Sequence, residues 1–100
     1  MATTPKTIFR GAATTGGSTL YTTPAATQTI VTNIVVTNTA ATAATFSLAL
    51  ATVSIHTTTA IAANSTIYID LRQPLAATQT VTGSASAITV NFHIAGVEIV

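Results

Sequence analysis

The sequence predicts an all-β fold, a single β-sandwich of about eight strands with jelly-roll or Greek-key (Ig-like) connections. Three observations carry this. Thr, Val and Ile, which prefer the pleated strand surface, make up nearly half of the 100 residues. No stretch places apolar residues at i, i+3, i+4 and i+7 behind a capping box, and the Ala-rich Ala40 to Ala44 is too short and too broken for an independent helix. Turn signals recur about every eight to twelve residues, the spacing of sandwiches and barrels.

The elements follow in order. Residues 6–11 (KTIFRG) read as a first strand, and Thr14 to Ser18 with Gly16-Gly17 as a turn. Thr19 to Thr23 is a second strand ended by Pro24. Gln28 to Asn38 has apolar residues of both parities: Ile30, Ile34 and Val36 on one face, Val31 and Val35 on the other. After a turn at Thr39 to Thr42, Phe46, Leu48 and Leu50 alternate with Thr45, Ser47 and Ala49, the cleanest half-buried pattern in the chain. Val53 and Ile55 form a short strand before a loop at Thr57-Thr58-Thr59. Thr66 to Leu71 faces Ile67, Ile69 and Leu71 inward and Tyr68, Asp70 and Arg72 outward, and Pro74 closes it. Thr78 to Thr82 ends at Gly83-Ser84. Ala87 to Val100 carries Ile88, Val90, Phe92 and Ile94 on one face, and a bulge at Ala95-Gly96 is expected to turn Val97 and Ile99 inward. The predicted core is Ile30, Ile34, Val36, Phe46, Leu48, Leu50, Ile67, Ile69, Leu71, Val81, Ile88, Val90, Phe92 and Ile94. Residues 1–6 are expected as an extended N-terminal arm and 7–100 as the sandwich domain. Pro24 to Thr29 echoes Pro74 to Thr80, a match read as coincidence in so Ala- and Thr-rich a chain.

Charge is the scarce commodity. Five residues are charged, against 24 Thr and 19 Ala, and the net charge is +1. A typical domain is about 25% charged, and charge keeps surfaces soluble and strand edges apart. A chain that omits it is expected to live packed against other protein. Three scattered cations give no footprint for nucleic acid or membrane. The absence of cysteine excludes disulfides, Cys-ligated zinc and thiol catalysis. The N-terminus has no apolar signal region, so synthesis in a cytoplasm without export is expected.

No chemistry stands out. There is no nucleophile elbow, and His56 and His93 both read as outward-facing. With Glu98 they would form a metal site only if their strands aligned; ordinary exposed histidines are the favoured reading. Asp70 and Glu98 as a glycosidase pair lack other acids and an aromatic platform. No catalytic residue, cofactor or metal is therefore predicted. Asp70 and Arg72 share a face with Tyr68, either as an exposed ion pair or as a contact between subunits. Regular Thr-x-Thr rows raise the idea of ice binding, but no strict repeat stacks them.

Leu20-Tyr21-Thr22-Thr23-Pro24-Ala25, Ile30 to Thr39, Ile61 to Thr66, Ile69-Asp70-Leu71 and Phe92 to Glu98 together resemble a family of small all-β virion proteins of tailed phages. The resemblance covers residues 8–99 and implies a minor tail or minor structural protein with no catalytic residues. The expectation is a non-enzymatic virion protein, leading as a capsid decoration protein bound in many copies to the major capsid protein or another virion protein. The alternative is a tail or fibre module binding a receptor or carbohydrate. A homo-oligomer is expected, a trimer by analogy with decoration proteins on lattice three-folds. Its subunit or lattice contacts are expected at Lys6, Arg10, Val31, Val35, Tyr68, Asp70, Arg72, Val97, Ile99 and Val100.

Overall fold

Period-two alternation makes each strand two-faced, and two such sheets bury their apolar faces against each other. The computed structural model describes residues 3–100. The strands are β1 (Thr3–Ala12), β2 (Ser18–Thr22), β3 (Gln28–Asn38), β4 (Ala44–Leu50), β5 (Val53–Ile61), β6 (Thr66–Leu75), β7 (Thr80–Ala85) and β8 (Val90–Ile99), and there is no helix among the described residues. They form two antiparallel four-stranded sheets, ordered β1-β8-β3-β6 and β2-β7-β4-β5. The eight-stranded sandwich read from the sequence is thus observed. First strand pairs with last, second with seventh, third with sixth and fourth with fifth. The β3–β8 and β4–β7 pairs then close each sheet.

Nine of the fourteen predicted core residues are buried: Ile34, Val36, Phe46, Leu48, Leu50, Val81, Val90, Phe92 and Ile94. Ile67, Ile69 and Leu71 pack against the core from the edge strand β6 and are half-buried for that reason. Ile88 is a correction: it sits in the β7–β8 connection, 70% exposed. Ile8, Val31, Ile61 and Leu75 are core residues the periodicity did not mark.

Ile30 and Val31 exchange roles for a definable reason. The register of β3 slips at Thr32 against both neighbours, so Thr29 and Val31 face inward on one side of the bulge and Ile34, Val36 and Asn38 on the other. Val31 is fully buried and Ile30 is turned to the outer face. The irregularity expected on β8 at Ala95-Gly96 is therefore carried by the flanking strands, by Ile8 on β1 and Thr32 on β3. β8 keeps its alternation, so Gly96 points inward and Val97 and Ile99 stay on the outer face, half-buried. Gly96 is required here. A Cβ at this position would lie 2.5 Å from the Ile30 carbonyl oxygen, backbone that the bulge pushes against it.

Several boundaries move. Thr3 to Lys6, expected as part of an extended arm, are extended and pair with β8 as part of β1, while Met1 and Ala2 lie outside the described residues. Thr57-Thr58-Thr59 belong to β5 as a register irregularity rather than a loop. β6 runs through Pro74 because it is an edge strand, where a missing N–H costs no ladder bond. The echoing segments after Pro24 and Pro74 are the two crossovers at one end of the sandwich. They lie side by side, joined by Thr23 N–H to Gln79 O (2.9 Å) and Thr78 N–H to Thr23 O (2.9 Å). At the other end buried Asn38 gathers three connections. Its Nδ2 donates to Thr42 O (2.8 Å) and Ala62 O (3.3 Å), and its Oδ1 accepts from Ala40 N–H and the Thr89 hydroxyl.

Candidate functional surface

The register fixes which side chains share the outer face of β1-β8-β3-β6. Going along the strands, one row is Pro5, Val97, Ile30 and Pro74, all apolar. The next is Thr7, Ala95, Asn33 and Asp70, and the one after is Arg10, His93, Val35 and Tyr68. Arg10 and Thr7 stand on one edge strand, Asp70 and Tyr68 on the other. Asn33, Val35, His93 and Arg10 line a shallow depression of about 190 Å³ between them. Tyr68 is 78% exposed, unusual for the largest side chain on the face.

Four predicted contact residues, Arg10, Val35, Tyr68 and Asp70, thus fall in two adjacent rows. Val97 and Ile99 lie on the same face further along, and exposed Val100 follows at that end. Arg72 is exposed at the irregularity of β6, and of the two readings of Asp70 and Arg72 the ion pair is not formed. Two residues leave the set. Val31 is core, for the reason given above. Lys6 shares the inward parity of Gly96 and reaches diagonally to Glu98, Nζ to Oε2 3.1 Å.

Glu98 anchors a polar cluster at the rim between the sheets, and unbroken alternation along β8 is the signal that would have turned its side chain inward. The Tyr21 hydroxyl, from β2 of the opposite sheet, donates to Glu98 Oε2 at 2.5 Å and lies 2.9 Å from the hydroxyl of buried Thr29. Lys6 Nζ also sits 5.9 Å from the centre of the Tyr21 ring. The hydrogen bond from Tyr21, then the one from Lys6, holds the Glu98 carboxyl below its ordinary value. Burial and the adjoining carboxylate raise the Tyr21 phenol above its own. The arrangement is a neutral phenol bonded to a charged carboxylate, which clamps one sheet to the other.

The histidines do not converge. His93 is exposed on the outer face, as expected. His56 is corrected: it is half-buried with the inward parity of Leu48, its ring 5.3 Å from Phe46 and its Nδ1 3.1 Å from the Thr59 hydroxyl. No group of three His, Cys, Asp or Glu gathers among the described residues.

The outer face of β2-β7-β4-β5 is built differently. Its rows are Thr22 and Thr80; Thr19, Thr82, Ala49 and Ser54; Ser84 and Ser47; and Thr45 with Ala60. All five charged residues stand on β1, β6 and β8, so this sheet carries none. A trough of about 370 Å³ lined by Ser18, Thr19, Ser47, Ser54, Thr82 and Ser84 crosses it. Comparison of the chain with protein-family models, curated proteins and solved structures gives no match.

Proposed function

We propose that the chain is a non-enzymatic structural protein of a tailed-phage virion, a capsid decoration protein held in many copies on the particle surface. The observation that carries the reading is the chargeless outer face of β2-β7-β4-β5. A surface of Ser, Thr and Ala loses little hydration free energy when covered, whereas each buried unpaired charge costs several kcal/mol. Such a face is suited to permanent contact with a protein lattice. The winding supports the same reading. Pairing first with last and fourth with fifth is what results when a long hairpin is rolled over itself, and we read it as a jelly roll, an architecture common in capsid proteins.

The test is physical association. Particles purified from the source phage and resolved by mass spectrometry should contain the chain in stoichiometric multiples, and its gene should stand among capsid genes. Particles that lack the chain would refute the proposal. A second reading, a tail or fibre module that binds carbohydrate, draws on the hydroxyl-lined trough. Binding of the isolated protein to a glycan array, lost on Ser47→Leu, would favour it instead.

A further inference from the structure

We propose that the outer face of β1-β8-β3-β6 is the contact between two copies of this chain, packed face to face about a two-fold axis parallel to the strands. The occupant follows from the order of side chains across the sheet. A two-fold running between β8 and β3 sets β1 of one copy over β6 of the other and lays every row on itself, reversed. The apolar row then meets its own reverse, with Val97 over Ile30 and Pro5 over Pro74. Arg10 comes over Tyr68, with Asp70 one row further along the same strand. A guanidinium there stacks on an aromatic face and pairs with a carboxylate, and the symmetry makes the contact twice. A two-fold across the strands would instead put β1 on β1 and β6 on β6, bringing like charges together.

The charges make the case more specific. Lys6 and Glu98 satisfy each other within the fold. Arg10 and Asp70 have no ion-pair partner within the chain among the described residues, and they stand on opposite edges of one face. Exposed Tyr68 lies in the row of Arg10, where an isolated chain gives it nothing to cover. At ordinary sheet spacings the outer face of these four strands spans about 500 Å² on each copy. A pair then buries about 1,000 Å², the lower end for a specific interface, so the association should depend on concentration.

This rests on reading the chain as a protein that works in contact with copies of itself, but its test needs no particle. Sedimentation of the purified full chain should show a dimer at tens of micromolar, weakened by salt. Arg10→Asp, and separately Asp70→Arg, should raise the dimer dissociation constant at least about tenfold by placing like charges in contact. The combination Arg10→Asp with Asp70→Arg should restore association, and Tyr68→Ala should weaken it. Circular dichroism of each variant should match the parent, since all three side chains are exposed. A monomer at every concentration, a trimer, single reversals without effect, or a double reversal that does not rescue would each overturn the proposal. A dimer from a source whose particles lack the chain would leave this contact standing and remove the virion reading alone.

Discussion

The two sheets are made from the same Thr-rich alphabet, yet they solve the problem of an exposed surface in opposite ways. The sheet β1-β8-β3-β6 has long edge strands, ten residues each in β1 and β6, and it blunts them with Pro5, Lys6 and Arg10 on one side and Asp70, Arg72 and Pro74 on the other. The sheet β2-β7-β4-β5 has no charge to use. Its edges are the five-residue β2 and the twice-interrupted β5. Shortness and irregularity discourage pairing with foreign strands just as charge and proline do. The lesson is that a chain with five charges places four of them where an unprotected edge is longest. The other face is thereby left free of anything expensive to desolvate.

The contrast extends to the interiors and is open to mutation. The largest expected effect compares one substitution in each sheet. Gly96→Ala meets the Ile30 carbonyl oxygen at 2.5 Å and cannot be accommodated without moving β3. Gly83→Ala meets only the ends of Leu48, Leu20 and Phe92 at 3.0–3.1 Å. Overpacking of side-chain ends costs about 1–3 kcal/mol, so Gly83→Ala should fold with a lowered melting temperature, and Gly96→Ala should lose more or fail to fold. Equal losses in urea melts would show that the bulge is not what demands the glycine.

A smaller effect with the opposite sign is expected at the β4–β5 turn. Ala51 and Thr52 both adopt left-handed backbone, φ 51° and 67°, in a two-residue hairpin that favours Asn-Gly. A β-branched residue is strained there, at about 1–2 kcal/mol per residue. Ala51→Asn with Thr52→Gly should therefore raise the melting temperature by several degrees. An unchanged or lowered value would count against the turn geometry.

The clamp between the sheets gives a pH signature. The carboxyl of Glu98 titrates lower folded than its ordinary 4.5, so its contribution is present above that pH and lost as pH falls through the depressed value. Glu98→Gln should lower the melting temperature at neutral pH, and the gap to the parent should close in acid. The raised phenol of Tyr21 works at the other extreme, its contribution full below pH 10 and lost as pH rises through the elevated value. A gap for Glu98→Gln that persists at strongly acid pH would mean that packing, not charge, is what the substitution removes.

The smallest effect on stability is expected at Ser54 on the chargeless face, an exposed residue in the row of Ala49. Exposed substitutions away from special features stay within about 0.5 kcal/mol, so Ser54→Lys should melt like the parent. It should nonetheless abolish binding to particles lacking the chain, measured by co-sedimentation. Undiminished binding would move the lattice contact to another face.

The class of fold, eight strands and most of the core were legible because alternation survives wherever a strand runs regularly, as in Ala44–Leu50, whose inward residues are all buried. What was not legible came from slips of register. A bulge flips every later side chain, and nothing in the local pattern says which of three neighbouring strands carries it. Placing it on β8 instead of at Ile8 and Thr32 left Val31 on the outer face, set an inward reading of Val97 and Ile99 against their expected place at a contact surface, and hid Glu98 from its partners. Val35, Tyr68 and Asp70 were correctly read as outward and Arg10 was expected at a contact, but their gathering into two rows depends on pairings such as β8 with β3 that span more than fifty residues.

The nesting of first strand with last also sets an order of folding. Only β4 and β5 are joined by a tight turn, so the hairpin at Ala51-Thr52 is the natural place to begin. Pairing then zips outward through more distant strands and ends with Thr3 opposite Ile99. Because β8 inserts between β1 and β3, one sheet stays split until β8 has been synthesised. That is the sheet bearing every charge. Lys6 and Arg10 therefore act before the fold exists, as gatekeepers on β1, which must wait unpaired until β8 arrives, whereas β6 with Asp70 and Arg72 already has β3 to pair with.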